Sequence, residues 1–98
     1  MKNLEYQELF LLAAKAGALE GYLFERRKVE PLGNWVENIV RMYHKLSPAL
    51  KREVDPVFVP ILKRILKYGE GVVESELKKK LEQILLEASA GLETKEAE

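Results

Sequence analysis

The chain has 98 residues, of which 47% are hydrophobic and 33% charged, with 16 basic and 16 acidic side chains and no cysteine. This length predicts a single domain, and the composition excludes a disordered chain, a disulfide framework and a cysteine-based metal site. The balanced charge does not by itself indicate a nucleic-acid or anionic-membrane partner.

The N-terminal residues lack the basic stretch and apolar segment of a secretory signal. The most apolar stretch, residues 9–24, contains Lys15 and Glu20 and is too short to span a bilayer. We therefore expect a cytoplasmic protein without a membrane partner. The abundance of Glu and Lys, with few Asn and Gln, favours a thermophilic source, although long helices favour the same residues.

The first predicted helix runs from Leu4 to about Lys28, with Asn3 as its N-cap. Acidic residues in its first turns and basic residues at its end match the helix dipole. Pro31 then prevents the helix from continuing.

The second predicted helix begins after Gly33, where Asn34 and Glu37 have the spacing of a capping box. It ends at Ser47, which precedes a proline and caps the next segment. Its apolar face is predicted from residues at helical intervals: Trp35, Ile39, Met42, Tyr43 and Leu46.

A short helix is predicted from Pro48 to Val54, followed by a third main helix capped by Asp55. This third helix starts at Pro56 or at Val59, because Pro60 would delete a hydrogen bond in the first case and fit the first turn in the second. The segment Tyr68-Gly69-Glu70-Gly71 is predicted to end it.

The fourth predicted helix runs from about Val72 to Ala90, and Gly91 is expected to end it in a Schellman motif. Residues 93–98 are predicted to be a disordered acidic tail, which leaves residues 1–92 as a single helical domain.

The fold class predicted is all-α: a compact antiparallel bundle of four main helices with a short extra helical segment between the second and third. Short connections are the reason for the antiparallel order. The predicted core contains Leu9, Leu12, Leu19, Leu23, Trp35, Ile39, Met42, Leu46, Phe58, Ile61, Leu62, Ile65, Leu77, Leu81, Ile84 and Leu85.

The first helix has two apolar faces where a surface helix ordinarily has one. The second face is made of small residues bracketed by aromatic ones, and it is the candidate interface: Ala13, Gly17, Gly21, Phe10 and Phe24. Each glycine within a helix costs about 1 kcal/mol relative to alanine, which a close helix contact can offset. Either the first helix is the central helix of its own domain, with the second and fourth helices packed on its two faces, or one face is covered by a second copy or another helical protein.

Basic residues on the third and fourth helices suggest an alternative, a modest phosphate-binding patch: Lys63, Arg64, Lys67, Lys78, Lys79 and Lys80. Such a patch fits a small nucleic-acid-binding or ribonucleoprotein accessory protein. Interleaved glutamates favour ordinary solvated helix faces instead.

The sequence shows no evident catalytic or ligand-binding site. His44, the single histidine, is predicted to lie exposed with Glu37 and Arg41 on one polar face, an arrangement more typical of a solvated surface than of a general base. No catalytic, metal or cofactor-binding motif is found, so no cofactor is expected. The sequence favours a non-enzymatic interaction module that self-associates through its first helix.

Overall fold

The computed structural model describes the backbone of residues 2–26 and 31–97 and the side chains of residues 6–26 and 31–90. It contains four helices: α1 (Lys2–Phe24), α2 (Leu32–Lys45), α3 (Pro48–Tyr68) and α4 (Ser75–Ala97). No strand occurs in the described parts of the chain. The predicted all-α arrangement of four main helices is confirmed.

The ends of α1 and the start of α2 differ from the prediction. α1 ends at Phe24 rather than Lys28, because Arg26 adopts a left-handed backbone with φ 58° that an α-helix cannot continue. α1 already includes Asn3, which therefore does not precede the helix as its cap. α2 begins at Leu32, directly after the extended Pro31, so the predicted capping box at Asn34 is wrong.

α3 is one continuous helix, and the prediction of a separate short helix before it is wrong. The Ser47 hydroxyl accepts a hydrogen bond from the Leu50 N–H at 3.3 Å, which confirms the predicted cap. Pro56 and Pro60 lie inside the helix on its outer side, where water can reach the carbonyls they leave without a partner. The helix therefore starts at neither predicted position.

The uninterrupted apolar side of α3 explains why two prolines do not divide it. Its buried residues recur at helical intervals on both sides of each proline: Leu50, Val54, Phe58, Leu62 and Ile65. Packing of such a face contributes more to helix stability in a protein than local propensity does.

α4 begins later and ends later than predicted. A turn occupies the expected first residues, with Gly71 at φ 84° and the Val73 N–H donating to the Gly69 carbonyl at 2.8 Å. The helix passes Gly91 and reaches Ala97, so the predicted stop at Gly91 is wrong. The side chains of residues 91–98 lie outside the described part, and the domain boundary at residue 92 stays a prediction.

The core lies between all four helices. α1 packs against α2 and α3, and α4 packs against the same two helices. Every predicted core residue is either buried or packs against the buried cluster. The prediction omitted several buried positions, among them Ala16, Val36, Leu50, Val54 and Asp55.

Specific contacts define the relative direction of the helices. Tyr6 reaches Glu53 and Phe24 packs on Tyr68, so α1 and α3 run in the same direction. Tyr22, near the end of α1, packs edge-on against Trp35, near the start of α2, so these two run oppositely. The opposite direction of α1 and α2 agrees with the order predicted for consecutive helices, and the parallel direction of α1 and α3, which are not consecutive, does not contradict it.

Candidate interaction face on the first helix

The two apolar faces of α1 have different surroundings. One face, formed by Leu12, Ala16, Leu19 and Leu23, is buried in the core. The other, which we call the outer face of α1, consists of the five predicted interface residues: Phe10, Ala13, Gly17, Gly21 and Phe24. Its two phenylalanines are 65% and 66% exposed. The small residues between them are partly buried, so the accessible apolar surface of the outer face lies mainly at its two ends.

The glycines of the outer face have open space beside them. A Cβ atom added at Gly17 or at Gly21 would have no neighbouring heavy atom within 4 Å. The expectation that the second and fourth helices pack on the two faces of α1 holds for α2, but α1 packs against α3 and not to a comparable extent against α4. Within the described residues, no helix packs directly on Gly17.

The charged residues nearest the outer face are directed away from it. Residues 10–24 include two charged side chains, Lys15 and Glu20. The Lys15 ammonium lies 5.4 Å from the centre of the Trp35 ring on α2. The Glu20 carboxylate accepts a hydrogen bond from Arg64 of α3 at 2.9 Å. Both charges are thereby held at the flanks, which leaves the centre of the face uncharged.

Other exposed apolar side chains border this face. Val57 lies one helical turn after Glu53, the residue that Tyr6 contacts, so it lies on the edge of α3 beside α1. Val72 lines a cleft together with Phe24 at the other end of α1. Two large apolar side chains exposed in the described region lie apart from this surface: Leu86 of α4, and Leu11, which lines a cleft with Met42 and Lys45 of α2.

The basic residues of the alternative patch are divided between two sides of the bundle. Arg64 bonds to Glu20 of α1, and Lys67 lines the cleft that contains Phe24. Lys80 bonds instead to Glu37 of α2, and Lys79 lines a separate cleft beside α2. Lys63 and Lys78 are exposed on α3 and α4. The six cations are therefore not gathered around one groove.

His44 is exposed, as predicted, but it does not act together with the two residues expected near it. Its Nε2 lies 2.9 Å from a carboxylate oxygen of Glu87 on α4. Glu37 pairs with Lys80, whose hydrogen bond and charge lower the pKa of that carboxyl. Arg41 donates to the Asn38 side chain. The three residues thus form separate surface pairs and are not brought together.

The core contains one polar pair that the sequence did not reveal. The Tyr43 hydroxyl donates to the Asp55 carboxylate at 2.9 Å, and both side chains are buried. Burial, followed by the hydrogen bond to Asp55, raises the pKa of Tyr43. Asp55 was predicted as a helix cap from the proline after it, but it lies within α3 and faces the core. Its role is to fix the packing of α2 on α3.

The described side chains include no cluster of three or more His, Cys, Asp or Glu residues able to hold a metal ion. In the same part of the chain, no helix has both the length and the apolar character needed to cross a membrane. No family model matches the chain, and comparison with curated proteins and with solved structures gives no match.

Proposed function

We propose that the protein is a helical protein–protein interaction module without enzymatic activity, and that it associates with itself through the outer face of α1. One observation carries this proposal: α1 presents two exposed phenylalanines on either side of an uncharged surface of small residues. The two charged side chains between these phenylalanines, Lys15 and Glu20, contact the neighbouring helices α2 and α3.

The energetics of the exposed face support a partner. Burying a phenylalanine fully stabilises a protein by about 1.5–3 kcal/mol, and most of this is not realised at Phe10 and Phe24 in the single chain. Gly17 and Gly21 each lower helix stability by about 1 kcal/mol relative to alanine, and among the described residues no heavy atom lies within 4 Å of either Cβ position to offset this. A helix lying on the outer face would bury the rings and could approach closely over the glycines.

The alternative function, nucleic-acid binding, has less support. Phosphate contacts need cations that can reach one backbone together, and here Arg64 and Lys80 bond to acids on different helices. Weak binding that disappears as salt rises would agree with this division. Tight binding of an oligonucleotide at physiological salt would favour the alternative.

Sedimentation equilibrium of three chains tests the proposal. The chain has a mass of 11.3 kDa, and we expect the unsubstituted protein to approach twice that value as concentration rises. Phe10→Glu places a charge on the outer face and should leave a monomer. Leu86→Glu is the matched control, because Leu86 is 73% exposed on α4, and it should dimerise like the unsubstituted chain.

A monomeric unsubstituted protein at every concentration would contradict the proposal. Equal loss of dimer in both variants would also contradict it, because the association would then not depend on α1.

A further inference from the structure

The residues of the outer face of α1 are arranged symmetrically about Gly17. Phe10 and Phe24 lie seven positions away, so on a helix they stand roughly 10 Å above and below Gly17 on the same face. Ala13 and Gly21 occupy the same face at four positions on each side.

We propose that the occupant of the outer face is α1 of a second copy, packed antiparallel about a two-fold axis beside Gly17. This inference rests on the self-association proposed above and adds its geometry. A two-fold interface must be complementary to itself, with residue i contacting j and j contacting i. In this arrangement Phe10 lies level with Phe24 of the partner subunit, and Ala13 lies level with Gly21 of the partner subunit.

The small residues at the centre set how closely the two helices approach. Helix axes pack about 8–10 Å apart, and the smaller value requires small side chains at the contact. Gly17 has no neighbour within 4 Å of its Cβ position in the single chain, so the space for a partner backbone is open. The aromatic rings at each end of the contact then pack against the partner subunit.

The area available is that of a modest dimer. An aromatic side chain has about 150–250 Å² to bury, so Phe10 and Phe24, two-thirds exposed, offer roughly 200–330 Å² per chain. Tyr6, at 40% exposed, adds roughly 60–100 Å² by the same measure. Two chains thus supply about half or more of the 1,200 Å² at the lower end of specific interfaces. Val57 and Val72, each more than half exposed beside this face, add to the area, whereas the partly buried small residues between the rings add little.

The helix dipole favours the antiparallel orientation over the parallel one. Two parallel helices place ends of like partial charge side by side, whereas an antiparallel pair places the positive N-terminal end of each helix level with the negative C-terminal end of the partner subunit. Charged side chains do not decide the orientation, because the exposed Glu25 and Arg26 lie together at the C-terminal end of α1.

Cysteine cross-linking tests the orientation, because the chain has no cysteine of its own. Ala13→Cys and Gly21→Cys are prepared as separate proteins, and both replace small residues on the outer face. Each is oxidised alone and in an equal mixture, and the linked species are identified by mass. Ala49→Cys, on the exposed side of α3, measures cross-linking by random collision.

We expect the mixture to give the mixed dimer, and each protein alone to give no more than the Ala49→Cys control. Thiols held together have an effective concentration near the millimolar range, so the mixed product should exceed the control by on the order of tenfold or more. Strong self-linking of each variant alone, with a dimeric mass, would overturn the antiparallel geometry and leave self-association standing. A dimeric mass with cross-linking no greater than that of the control would show that α1 is not in the interface. A monomeric mass would overturn both proposals.

Discussion

Substitution of Gly17 by leucine should have opposite effects on the monomer and on the dimer. It should stabilise the folded monomer and weaken the contact between two α1 helices. Within one chain the new side chain meets open space, because no heavy atom lies within 4 Å of the Cβ position. Leucine is favoured over glycine in a helix by most of about 1 kcal/mol. The folded monomer should therefore become more stable, by about 4–8 °C per kcal/mol for a domain of this size.

The same side chain should prevent two α1 helices from approaching. Overpacking a close contact costs about 1–3 kcal/mol, and both subunits would carry the leucine. In dilute solution we expect Gly17→Leu to melt at a higher temperature than the unsubstituted chain. At high concentration the unsubstituted chain should gain stability from association, whereas the variant should melt at one temperature throughout.

Thermal unfolding is followed by circular dichroism over a wide concentration range, and the mass is measured on the same samples. These measurements give the melting temperature and the oligomeric state of each protein. Gly33→Leu is the control, because Gly33 also has open space beside it but lies on α2. It should not change the dependence on concentration. A lower melting temperature for Gly17→Leu in dilute solution would show that something in the chain packs on Gly17, and the reasoning would be refuted.

Three further predictions concern positions away from this face. Tyr43→Phe removes the donor to buried Asp55 and should lower the free energy of unfolding in urea by about 1–3 kcal/mol, whereas Tyr6→Phe, at an exposed site, should change it by less than about 0.5 kcal/mol. Gly69→Ala would place its Cβ 2.8 Å from the Ile65 carbonyl oxygen, so we expect a loss of about 1–3 kcal/mol in the same titration, and an unchanged midpoint would contradict this. The pKa of the Tyr43 hydroxyl is raised above its ordinary value of 10.0 in the folded state, so the folded protein binds this proton more tightly than the unfolded chain does. The contribution of Tyr43 to the free energy of unfolding should therefore be fully present below pH 10 and should fall as the pH rises further. The fall should be shallower in Tyr43→Phe, and equal slopes would exclude this cause.

Helical periodicity was sufficient to predict the four helices and most of the core. Leu12, Leu19 and Ile39 recur at the spacing of a buried helix face, and each is fully buried. The helix ends were predicted less well because they depend on contacts beyond the local sequence. Pro56 and Pro60 read as helix starts, yet the apolar side of α3 packs continuously past both.

For the outer face of α1 as well, the sequence predicts features that depend on local spacing but not those that depend on contacts between helices. The small residues and bracketing phenylalanines of α1 are visible in the sequence, because their spacing is local. Whether another helix covers Gly17 depends on which helices are neighbours in space. The partners of Lys15 and Glu20, on α2 and α3, could not be predicted from a single sequence for that reason.

The buried pair of Tyr43 and Asp55 was missed for a related reason. An aspartate directly before a proline is typical of a helix cap. Its actual position is set by the continuation of α3 through Pro56, which turns the carboxylate toward α2.

A dilution series followed residue by residue in amide ¹H–¹⁵N spectra tests self-association through α1 most directly, because it requires no substitution. If α1 forms the contact between two copies, the amide signals of Gly17, Gly21 and their neighbours on the outer face shift with concentration, while those of Gly33 and Leu86 stay in place. Signals that are the same at all concentrations, or that shift around Leu86 and not around Gly17, would contradict it.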